Sequence, residues 1–196
     1  WYCTLTYFMT FGTFAGMAAA FPMMIKSLYV PLESDLDPLK FAFYGPLIGS
    51  ATRVFFGKIA DKTGGAILTH ITGIALIILF SVLIFGGFLT PTTIDQFPYF
   101  VGIVMFIFFF TGIGNAATFK QFPMIFSDSP RKAAGVIGWT AAIAAFGPFV
   151  FNVLISTSKS ISGDARLFFG LMLFICVFAT FINWKFYTKK GCERPS

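Results

Sequence analysis

Six apolar stretches, each about as long as a bilayer is thick, run through this chain, and nearly all of its charge is confined to the linkers between them. They cover residues 1–25, 39–59, 66–89, 97–119, 133–155 and 167–187. A spanning helix needs roughly 20 apolar residues, and every stretch reaches that length. Barrel strands alternate in polarity over about ten residues, so these uniformly apolar runs exclude a barrel. Composition agrees, with 57% of residues hydrophobic and 11% charged, against roughly 25% charged in soluble domains. The pattern predicts an all-α membrane protein with six transmembrane helices, one unit over 1–190 in the lipid bilayer, and a cytoplasmic tail over 191–196.

The linker charges predict the orientation. A formal charge of +6 raises the question of nucleic acid, but the basic residues are scattered between apolar runs and no nucleic-acid partner is expected. Lys58, Lys62, Lys120, Arg131, Lys132, Lys185, Lys189, Lys190 and Arg194 fall on one side of the bilayer. Only Lys26, Lys40, Lys159 and Arg166 fall on the other, whose first linker also holds Glu33, Asp35 and Asp37. Basic loops stay in the cytoplasm, which places the second and fourth linkers and both ends of the segment there. The chain enters an apolar run directly at Trp1 without the basic region of a signal peptide, and it reads as a piece of a longer protein.

Arg53 breaks the pattern, because it lies in the middle of the second apolar stretch. An arginine at membrane depth costs at least about 2.5–3.5 kcal/mol and normally faces the bundle interior, paired with something. All eight acidic residues (Glu33, Asp35, Asp37, Asp61, Asp95, Asp128, Asp164 and Glu193) sit in linkers or the tail. None is at the depth of Arg53, so a passing anion is the candidate partner. The same distribution leaves no intramembrane carboxylate for a proton relay, which favours anion exchange, or proton coupling without a side-chain relay. Cys3, Cys176 and Cys192 are widely spaced and His70 is the single histidine, a set that cannot build a metal site. No cofactor is expected. With no Ser/His pair, intramembrane Asp pair or HExxH motif, an enzyme is not expected either.

The linker after the Arg53 stretch reads Gly57-Lys-Ile-Ala-Asp61-Lys62-Thr-Gly64-Gly65. It resembles the G-x-x-x-D-[RK]-x-G-[GR] cytoplasmic loop of the major facilitator superfamily, which joins the second and third helices of each six-helix half. Further segments resemble the C-terminal half of the nitrate/nitrite porter family. They are Tyr7-Phe-Met-Thr-Phe11-Gly12-Thr-Phe14-Ala-Gly16, Gly49-Ser-Ala-Thr-Arg53, Gly112-Ile-Gly114-Asn115-Ala-Ala-Thr118-Phe119, and the run from Gly138 to Phe149. Ala144 and Pro148 stand where glycine is common in the family's glycine-rich signature.

The resemblance implies one half of a twelve-helix carrier in a bacterial inner membrane, with an N-terminal six-helix half supplied by chain absent here. It implies that Arg53 binds the anion, that Tyr7 and Phe11 wall the site, and that Asn115 and Gly138 belong to it. The loop motif of Gly57, Asp61, Lys62, Gly64 and Gly65 becomes a conformational latch. Nitrate and nitrite are small planar anions, and a guanidinium offers two parallel donors in the matching plane at any physiological pH. Asn115 serves either as a substrate contact or as an interhelical hydrogen bond. A carrier for another small anion and a membrane module without transport activity remain the competing readings.

Overall fold

The computed structural model describes residues 1–193, 195 and 196; Arg194, assigned above to the basic tail, lies outside the described residues. Long helices dominate. They are α1 (Tyr2–Leu28), α2 (Tyr44–Thr63), α3 (Gly65–Phe85), α4 (Ile94–Ile125), α5 (Pro130–Ser162) and α6 (Arg166–Thr188). Among the described residues, five of these are long and apolar enough to cross a membrane. The sixth, α2, has the length, 20 residues, but its hydropathy is lowered by Arg53, Lys58, Asp61 and Lys62. The chain is thus an all-α, multi-pass membrane protein, and its least apolar long helix carries the anomalous arginine.

Helix limits differ from the hydropathy limits where polar residues continue a helix. α2 begins at Tyr44, after a separate short turn over Leu39–Ala42. It then runs through Lys58, Asp61 and Lys62 to Thr63, because nothing in that segment breaks a helix. The loop motif is therefore mostly the last two turns of α2, and the reversal falls on Gly64 at φ +88°, a conformation that favours glycine.

The fourth helix lies at the centre. α4 packs along α2 on one side and α3 on the other, while α3 also packs on α6 and α1 on the second half of α5. Lipid tails are as apolar as leucine, so helices associate in a membrane by close packing rather than by hydrophobic exclusion. Two glycine crossings supply it. A β-carbon on Gly112 of α4 would strike the Gly49 carbonyl of α2, and one on Gly147 of α5 would strike the Gly12 carbonyl of α1. Large side chains fill the space between crossings, with Phe21, Phe80, Phe100, Phe108, Phe151 and Phe169 all fully buried. Several buried hydroxyls are satisfied within their own helices, as in Thr111 to the Ile107 carbonyl at 2.8 Å and Thr118 to the Gly114 carbonyl at 2.9 Å.

Two helices are irregular within their length, while α4 opens with a 3-10 turn over Ile94–Gln96 and α6 ends in a π-helical turn over Trp184–Thr188. α1 opens into a π-helical turn over Phe8–Gly12. α5 is interrupted at Phe146, between Pro130–Ala145 and Gly147–Ser162. Pro148 has no N–H to return to the Ala144 carbonyl, and the Phe146 N–H bonds the Ile143 carbonyl at 3.1 Å instead.

Candidate functional site

The π-helical turn of α1 begins immediately after Tyr7 and includes Phe11. The Tyr7 and Phe11 rings stack with centroids 5.4 Å apart and planes 19° apart. Phe14 continues the stack, 6.1 Å from Phe11. A π-turn widens the helix by one residue and is frequent at functional sites; here it brings a ladder of three rings onto one side of α1.

α4 provides the facing wall. Asn115 is buried, and the Tyr7 hydroxyl donates to its Oδ1 at 3.3 Å. That bond uses the amide oxygen, while the amide N–H groups have no partner among the described residues and remain donors. One helical turn on, Phe119 meets the Tyr7 ring edge-on at 5.4 Å. From α2, the Arg53 guanidinium lies over the opposite part of this wall, its Cζ 5.1 Å from the Phe119 centroid. That is within cation–π range. Arg53 is exposed on this face, and among the described residues the ion pairs are Lys120–Asp61 and Arg166–Asp164 only. Among the described residues no carboxylate pairs with it.

The structure therefore brings together four of the five substrate residues named from sequence, which are Arg53, Phe11, Tyr7 and Asn115. The fifth stands apart. Gly138 is exposed on the first half of α5, with open space around the position a β-carbon would take. Phe119, which joins arginine to tyrosine, was not singled out from sequence. Its position four residues after Asn115, on the same helical face, was the available signal.

Below the site, the loop motif is tied to α4 by the Asp61 carboxylate, 2.6 Å from the Lys120 ammonium, with both side chains about half exposed. Gly65 packs against α4, where a β-carbon would lie 2.5 Å from the Ala117 carbonyl. A buried polar network continues inward. Thr69 donates to Gln121 Oε1 at 3.1 Å, Gln121 donates to Asn183 Oδ1 at 3.0 Å, and Asn183 donates to the Ala66 carbonyl at 2.8 Å. It fixes α3, α4 and α6 to one another at the end of the bundle that holds the basic linkers.

Comparison with known proteins places this arrangement. No family profile matches the chain. Over all of its 196 residues it is 49% identical to a probable nitrate/nitrite antiporter, NarK2, of Thermus thermophilus, covering 43% of that protein. The nitrate/nitrite transporter NarU of Escherichia coli is 30% identical over 93% of this chain and 43% of its own length. The probable nitrate transporter NarT of Staphylococcus epidermidis is 27% identical over 89% of this chain and 42% of its own. The chain thus spans less than half the length of the curated relatives it matches. An uncompensated arginine on a polar helix, set among aromatic rings in an otherwise apolar bundle, has its counterpart in sequence similarity that runs the length of the chain: it belongs to the nitrate/nitrite porter family, corresponding to the C-terminal half.

Proposed function

We propose that this chain is half of a carrier that moves nitrate and nitrite across a bacterial inner membrane by alternating access, with Arg53 as the anion-binding residue. The observation that carries the reading is the Arg53 guanidinium held on Phe119, 5.1 Å from the ring, with no carboxylate partner among the described residues. The names of the relatives support the substrate. A planar anion takes two parallel N–H bonds from the guanidinium and a third from the Asn115 amide. The Tyr7, Phe11 and Phe119 rings cover its faces and keep water from its charge. Gly138 joins the site from α5 when the carrier closes.

Transport follows from the site lying between two halves that rock about it, the second half belonging to the chain outside this segment and supplying its own cation. The Asp61–Lys120 pair, with Gly57, Lys62, Gly64 and Gly65, latches the end of α2 to α4 during that motion. Both ends of the segment lie in the cytoplasm. Exchange of one anion for another needs no proton relay, consistent with acidic residues confined to linkers, helix ends and the tail.

The test is exchange in proteoliposomes containing the full-length protein and loaded with nitrite. Uptake of labelled nitrate should be competed by unlabelled nitrate and nitrite and only weakly by phosphate or organic acids. Equal competition by phosphate would contradict the substrate assignment.

A further inference from the structure

A second opening, apolar on one side and polar on the other, lies at the end of the bundle away from the Gly64 turn. It is a cavity of about 130 Å³ between α1 and α5, lined by Ala20, Met23, Met24, Ser27, Asn152, Ile155, Ser156 and Lys159. That volume has room for several waters. Asn152, Ser156 and Lys159 are spaced four and three residues apart, so they share one face of α5. The Lys159 ammonium donates to Ser27 Oγ at 2.6 Å, and the Ser27 hydroxyl donates in turn to the Met24 carbonyl at 3.2 Å.

What the groove leaves unused identifies its ligand. An ammonium has three donors, and Lys159 uses one. Neither the Asn152 amide nor the Ser156 hydroxyl has a hydrogen-bond partner among the described residues, and no carboxylate there pairs with Lys159. A cation and two neutral donors at one side of a small, otherwise largely apolar cavity fit a small oxyanion. The surroundings explain the need. The linker just beyond α1 exposes Glu33, Asp35 and Asp37, which repel an approaching anion, yet none of them reaches Lys159. The groove also begins about 14 Å along α1 from Phe11, at Ala20, and its Ser27 is about 24 Å away, at 1.5 Å per residue, so its polar end is separate from the Arg53 site.

We propose that Asn152, Ser156 and Lys159, the last held in place by Ser27, form an entry site that captures the transported anion at this mouth before it moves to Arg53. The inference rests on the anion-carrier reading and adds a second, weaker station to it. At an open mouth the attraction is screened beyond about 8 Å at physiological ionic strength, so the site acts on capture and not on the translocation step.

The experiment measures nitrate/nitrite exchange by the full-length protein in right-side-out membrane vesicles, varying external nitrate and ionic strength, with nitrate binding to the purified protein measured in parallel. Lys159→Gln should raise the external KM roughly two- to five-fold, the effect of one partly screened charge. It should flatten the dependence of KM on salt and leave the maximal rate and equilibrium binding unchanged, while Lys159→Arg restores KM. If Lys159→Gln folds poorly, Asn152→Asp places a carboxylate in the same groove and should raise KM in the same way. Wild-type KM and salt dependence in the folded variant would overturn the entry site and leave the Arg53 reading standing. A KM that follows the anionic-lipid content of the vesicles would overturn it in favour of a lipid headgroup. Absence of exchange in the wild type would overturn both readings.

Discussion

At the scale of single residues, the site is set by which donors have been used and which have not. Tyr7 spends its hydroxyl on Asn115, and that bond holds the amide by its oxygen and leaves its N–H groups unspent. Tyr7→Phe keeps the ring stack and removes only the hydroxyl. It should lower stability by roughly 0.5–1.5 kcal/mol and weaken nitrate binding severalfold by freeing the Asn115 side chain; thermal melting in detergent and equilibrium binding check the two effects. The sequence made Arg53 conspicuous because charge is rare in apolar stretches. Phe119 is less conspicuous for the opposite reason: it is one of 29 phenylalanines, and its spacing of four from Asn115 is the one local sign that separates a ring under a guanidinium from a ring against lipid. Gly138 shows the limit of a motif, because a glycine matched to a signature brings no contact that places it beside Arg53.

At the scale of helices, two local geometries hold the bundle. The glycine crossings are rigid because backbone meets backbone. Gly112→Ala forces a β-carbon into the Gly49 carbonyl, which no side-chain rotation relieves, and should cost about 1–3 kcal/mol, seen as a lower melting temperature in detergent. Gly138→Ala, with open space around it, should melt like the wild type. The turn between α5 and α6 is braced differently. Asp164 accepts the Arg166 backbone N–H at 2.8 Å and its Nε–H at 2.7 Å. The bonded Arg166 guanidinium holds the Asp164 carboxyl below its ordinary range, against the opposing effect of burial. A carboxyl lowered in the folded state stabilises the protein above its unfolded pKa of about 3.9 and loses that contribution as pH falls through the lower folded value. Asp164→Asn should therefore cost of the order of 1 kcal/mol at neutral pH, and the difference from wild type should vanish in melts at strongly acidic pH.

Hydropathy made the number and order of the long helices legible, because a span is a property of about twenty residues averaged together. It did not show the π-turn of α1, whereas the interruption at Phe146 falls beside Gly147-Pro148, a pair whose residue types mark a hinge or a close-packing point in the sequence. A π-turn is one extra residue in a ladder whose local sequence is unremarkable. The α5 break depends on how the chain accommodates Pro148, and in a membrane neighbouring helices can also absorb a proline without a break.

At the scale of the whole molecule, the Arg53 site opens on a face of the six-helix unit, with the guanidinium exposed. α5 is the least buried of the five strongly apolar helices, with Trp139, Phe146 and Phe149 exposed along it. These surfaces suit contact with a second six-helix half. The segment of 196 residues purified by itself and reconstituted in liposomes should show no nitrate uptake above protein-free controls. Uptake by a monomer of the segment would refute the two-half account.

The central claim is that a planar, two-pronged cation is required where Arg53 stands. Lysine would keep the charge, the helix and the contact with Phe119, and remove only the parallel pair of donors. The most direct measurement is nitrate binding to the purified full-length protein in detergent, comparing wild type with Arg53→Lys and monitoring folding by thermal melting. We predict binding that is abolished or greatly weakened at an unchanged melting temperature. Wild-type affinity in the folded lysine variant would contradict the account.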